Sequence, residues 1–200
     1  MTRAPGDPGV RAGAVEPAIS AELPGLGIAF CSLALAGDPL RRSPPDVRAR
    51  LRALSDRHRG AQAIALRSRA IPHAYRVLFR HLGLEPDIRR IPVEELVVAR
   101  LVAGVYESRG LLADALATAT VETEVGVWAA DGERELRLAQ EGDRIVVADA
   151  GGRVAELFAL PDEPVTRATR ALTLYAILAP GVPDIAVDEA LWIAADLLAA

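Results

Sequence analysis

Residues 41–90 contain thirteen arginines and only four acidic residues. Three side chains there, His73, Arg76 and Arg80, are spaced three and four apart, which gathers them on one face of a helix. Arg48 and Arg52 belong to the polar surface of the preceding helix. A local excess of +9 is the electrostatic footprint of a phosphate-binding surface. Arginines so placed also solvate helices and pair with acids elsewhere, and the sequence leaves both readings open. Other chemistry is sparse. His58 lies in Asp56-Arg57-His58-Arg59, where guanidinium groups repel a cation, so no metal site is expected from His58, His73 and His81. Cys31, the single cysteine, sits in an apolar run with no cationic neighbour and reads as packing rather than as a nucleophile. The chain has no lysine, which excludes a Schiff-base or P-loop lysine. No Gly-x-Ser-x-Gly elbow supports serine catalysis. Gly151-Gly152 leads into a strand and so reads as a hairpin turn rather than a phosphate cradle. No cofactor is expected.

The elements that must position these residues fit one domain of 200 residues, large enough to bury a core without a disulfide or metal. Residues 1–22, rich in proline and glycine, are expected to be a flexible arm, and 23–200 a single domain. Charge is divided. Residues 1–110 carry 17 arginines against 11 acids, and residues 111–200 carry 6 against 16. The longest apolar run, Leu26 to Gly37, is shorter than the ~20 residues of a membrane span. Glu16 and Glu22 stand where a signal peptide would be basic, so a cytoplasmic protein without a membrane partner is expected.

Gly27–Leu35 reads as a buried strand. Ser43-Pro44-Pro45-Asp46 opens a helix with Ser43 as N-cap, Val47, Leu51 and Leu54 inward, and Gly60 as its end. Pro72 opens a second, to Gly83, on Ala74, Val77, Leu78 and Leu82. A third follows Pro92, with Leu96, Val97 and Leu101 inward and Gly110 closing it. Leu111–Thr123 is a fourth. Beyond Glu124 the period becomes two: Leu136 and Leu138, then Arg144–Ala148, Val154–Ala159 and Leu172–Ile177 read as strands joined by turns. Val187–Leu198 is a final helix, in which Trp192 reads as packing. Trp128 reads as core or as a stacking surface. The order predicts an α+β fold with an antiparallel sheet core flanked by helices and a helix-rich N-terminal half.

The order of segments, with Tyr75-Arg76…Gly83…Pro86, Glu95–Arg100, Leu112-Ala113-Asp114, Asp131, Leu136–Ala139 with Gly142-Asp143, Ile145–Asp149 and Val165-Thr166 with Thr169, resembles the B3/B4-type domain of the phenylalanyl-tRNA synthetase beta chain in free-standing form. The similarity runs from about Gly25 to the C-terminus. It implies the B3/B4 sheet core and a partner in tRNA or aminoacyl-tRNA. It also implies hydrolysis of a mischarged aminoacyl ester in trans, without a full synthetase activity. The family's pocket is altered in this sequence: Trp128 stands for a histidine, Ala117 for an asparagine, Glu156–Pro161 for a glycine-rich loop, and Tyr175 near a glutamate.

At the walls of that pocket the resemblance locates Glu122 as a candidate water-orienting base and Arg137 as an oxyanion or phosphate partner, with Glu124, Trp128, Asp131 and Tyr175 as candidate substrate contacts. Alternatively Glu122 caps a helix end and Arg137 makes a cross-strand pair. The RNA-binding candidates are Arg48, Arg52, His73, Arg76 and Arg80. Two rival readings are a non-catalytic module binding RNA or a protein, and a binder of amino acids or nucleosides with a remodelled pocket.

Overall fold

The computed structural model describes residues 8–57 and 60–199, so His58 and Arg59 lie outside the described residues. Among the described residues, two four-stranded sheets and seven α-helices make an α+β protein. In the first sheet β1 (Arg11–Ala12), β3 (Gly27–Ala34), β8 (Ala171–Leu178) and β4 (Val127–Asp131) run in that order, each pair antiparallel. The second holds β2 (Ala14–Val15), β5 (Arg137–Glu141), β6 (Arg144–Asp149) and β7 (Gly152–Glu156). There β2 lies parallel to β5 and the remaining pairs are antiparallel. One continuous core joins the sheets, with Phe30 and Leu174 from the first and Leu138 and Val147 from the second fully buried.

Register puts Arg11, Phe30, Tyr175 and Trp128 side by side across the first sheet. Cys31, Leu174 and Ala129 form the next row and alternate to the opposite face. The strand at Val127–Asp131 has no clean alternation in sequence because both of its faces are covered.

Helices α1 (Pro17–Glu22), α2 (Pro45–Leu54) and α5 (Pro92–Ala103) each begin on a proline, whose fixed φ suits the first turn. The others are α3 (Gly60–Ala65), α4 (Ala70–His81), α6 (Leu111–Thr123) and α7 (Asp184–Ala199). Two helices end earlier than their sequence predicts. α2 stops at Leu54, where the Tyr106 amide donates to Ser55 Oγ at 2.9 Å. α5 stops at Ala103 because Gly104 turns left-handed, φ 82°, a standard helix ending. α5 buries Val93, Glu94 and Val97, and Leu101, expected inward, is 43% exposed. Pro44, not Ser43, takes the N-cap position of α2.

The expected arm is a correction. Its described residues form β1, β2 and α1, with Ile19 buried. The chain crosses from one sheet to the other at Gly13, whose amide donates to the Ile28 carbonyl. A Cβ there would stand 2.3 Å from the Leu136 carbonyl oxygen, so the crossing needs glycine. Trp192 is a second correction. α7 buries Val187, Ala190, Leu191, Ala194 and Leu198, which turns Trp192 outward at 45% exposure.

Candidate nucleic-acid interface

Asp114, in the first turn of α6, is 1% exposed, and a buried carboxylate must be satisfied by donors. Ser43 Oγ and Ser108 Oγ each donate to it at 2.5 Å, and the Arg109 amide at 2.8 Å. Backbone bonds from Leu111 to the Arg41 carbonyl and from Leu112 to the Pro39 carbonyl stitch the same helix end to the 38–43 turn. Two surface segments are thereby fixed beside α2, one carrying Arg42 and the other Arg109.

Between them run two adjoining hollows of about 400 Å³ and about 410 Å³. Arg48, Ser108 and Arg109 line both, Arg52 lines the first and Arg42 the second. Among the described residues Glu107 is the only acid at their walls. Among the described residues no carboxylate lies within ion-pair distance of Arg42, Arg48, Arg52 or Arg109, and Arg48 Nε is a buried donor without an acceptor. Four unneutralised guanidinium groups around one concavity raise the local potential far more than four on a convex face would. Each supplies the planar fork that suits phosphate oxygens.

The five RNA-binding candidates divide. Arg48 and Arg52 are together in this groove, whereas His73, Arg76 and Arg80 lie on α4 and line neither hollow. Arg76 is withdrawn from solvent, which corrects its placement on an open face. It is buried, its Nη1 donates to both Glu94 oxygens at 3.0 and 2.9 Å, and its Nη2 donates to Asp87 at 2.8 Å. His73 and Arg80 are exposed. Helical spacing identifies a shared face but not the acids that a later segment folds over it.

Glu122 and Arg137 are not brought together. Arg50 Nε and Nη2 donate to the two Glu122 oxygens at 2.8 and 2.6 Å, tying α6 to α2. Arg137 donates to Glu16 at 3.0 Å across the second sheet's edge. Neither is aimed at a common reacting atom, as a base and an oxyanion donor must be.

The candidate substrate contacts also separate. Trp128 and Tyr175 are neighbours, stacked at 5.8 Å, while strand alternation sends Asp131 to the opposite face from Trp128. The Asp131 carbonyl accepts from Arg134 Nε at 2.7 Å. Phe158 covers the indole at 5.9 Å and also meets Phe79 and Tyr75. It stands in the segment where the resembled family has glycine, and its φ of 61° is left-handed, a strained conformation for an aromatic residue. The Tyr175 hydroxyl is buried without a hydrogen-bond partner, and burial pushes its pKa well up.

Glu124 closes α6 in the left-handed region, φ 66°. Its carboxylate is buried and faces Arg69 at 2.6 Å, and burial raises its pKa despite that guanidinium. Another hollow, about 440 Å³, lies by β6 and β7 and is acidic. Its two arginines, Arg134 and Arg153, are each held by two carboxylates.

Sequence reasoning missed Arg42, Arg109 and Asp114 as members of one unit. The Ser43–Asp114 bond that joins them spans 71 residues, and no local pattern encodes it. Among the described residues no group of His, Cys, Asp and Glu could hold a metal ion, and no helix is long and apolar enough to cross a membrane. No family model, curated protein or solved structure matches the chain.

Proposed function

We propose that this chain is a B3/B4-like RNA-binding module that holds tRNA or aminoacyl-tRNA in the groove between α2 and the 104–110 segment. The observation that carries the reading is the set of four arginines, 42, 48, 52 and 109, gathered around one concavity with no acidic partner among the described residues. The chain's overall charge of −4 does not oppose it, because affinity for a polyanion is set by the local field and by counterions released at the contact. The separation of Glu122 from Arg137 favours binding over ester hydrolysis.

The test is fluorescence anisotropy of labelled tRNA against salt. Log affinity falls linearly with log salt, and Arg48→Ala with Arg52→Ala lowers the steepness of that line by about 2, one for each lost phosphate contact. Arg80→Ala leaves it unchanged. Equal steepness in the double variant and the parent protein removes the groove from the interface. Mischarged tRNAs incubated with the protein release amino acid no faster than they do alone; faster release restores the hydrolytic reading.

A further inference from the structure

The groove does not end at the four arginines. It continues into a cleft of about 160 Å³ between α5 and α6, and Leu51, Val105, Tyr106, Glu107 and Arg109 line both spaces. The cleft is walled by Leu96, Ala99 and Ala103 of α5 and by Ala113 and Ala117 of α6. Small residues on both helices leave the gap open, and leucines at 51 and 96 make its floor apolar. Its mouth is polar. Arg100 and Glu107 line it, and Glu107 is exposed at the junction with the groove. Arg100 also acts on the Tyr106 hydroxyl, whose pKa burial raises to about 12.

We infer that this cleft is a subsite for one pyrimidine nucleotide, with cytidylate the best fit, its phosphate lying on Arg48 and Arg109. The inference rests on the RNA-binding reading and adds what the groove recognises beyond charge. A space of roughly 150 Å³ holds one benzene-sized ring, so the cleft suits a single six-membered base rather than a fused purine. Cytosine offers an exocyclic amino donor and two acceptors. A carboxylate accepts only and a guanidinium donates only, so Glu107 matches the amino group and the Arg100 guanidinium at the cleft wall matches O2 or N3. An unpaired base is read in this way, by its edge and by apolar contact, once it leaves the stack.

The probes are CMP, UMP, AMP, ribose 5-phosphate and inorganic phosphate, titrated into the full chain by calorimetry at low salt. CMP binds at least tenfold tighter than ribose 5-phosphate and tighter than AMP, and Glu107→Ala removes its advantage over UMP. Ala99→Leu and Ala113→Leu, both at exposed positions, fill the cleft. They weaken CMP tenfold or more while the unfolding midpoint and the tRNA salt dependence stay those of the parent. CMP binding no better than ribose 5-phosphate, or undiminished in both leucine variants, overturns the subsite. Retained CMP selectivity with no tRNA binding supports the subsite and overturns the RNA reading instead.

Discussion

Removing Glu94 is the sharpest test of whether Arg76 belongs to the framework rather than to the RNA face. The pair is almost dry, with side-chain exposures of 7% and 6%. Both Glu94 oxygens accept from the same guanidinium nitrogen. Deleting one partner of such a pair costs about 3–5 kcal/mol, because the surviving charge stays buried and unpaired. Here Asp87 still holds Nη2 at 2.8 Å from an exposed position, which puts Glu94→Ala at the low end, about 3 kcal/mol. With a urea slope near 2–3 kcal/mol/M, the unfolding midpoint falls by about 1–1.5 M. The double replacement Arg76→Met with Glu94→Leu loses far less than the sum of the singles, since no charge is left behind. A Glu94→Ala loss below about 1 kcal/mol would refute the reasoning. So would tRNA affinity that drops in a folded Arg76→Met, Glu94→Leu protein.

Other substitutions probe other parts of the same structure. Asp114→Ala strands two hydroxyls and an amide, costs about 3 kcal/mol in urea unfolding, and weakens tRNA binding because the Arg42 and Arg109 segments lose their common anchor. Glu124 has a raised pKa in the folded protein, so its contribution is most favourable at low pH and is lost as pH rises through the folded value. Glu124→Gln therefore gains stability relative to the parent as pH climbs above about 4.5, seen as a growing difference in thermal midpoint. A constant difference would mean that the carboxylate is not paying for burial. Tyr175→Phe removes a hydroxyl that has no acceptor and leaves stability unchanged or raised by about 1 kcal/mol in thermal unfolding.

Local chemistry carried much of the architecture. The apolar run at Gly27–Ala34, the proline starts at 45 and 92, and the hairpin turns at 142–143 and 150–151 each act within a few residues, and the observed elements follow them. What escaped is set by contacts distant in sequence. Glu94 and Asp87 fold over Arg76 from 18 and 11 residues away, and spacing along α4 carries no trace of them. Residues 11–15 look like an arm because strands of two residues have no period to detect, and only their partners make them strands. The tandem arginines 48 and 52 were visible. Their companions 42 and 109 were not, since a buried aspartate joins those segments.

The crossing at Gly13 also imposes an order on biosynthesis. Glu16, just past β2, meets Arg137 of β5 across 121 residues, so at about 5–20 residues per second the nascent segment waits about 6–24 s for its mate to be polymerised. Throughout that interval the β2 backbone lacks its partner on β5. Folding that depends on so distant a pairing is slow for its size, and faster elongation between residues 16 and 137 would shorten the vulnerable period in direct proportion.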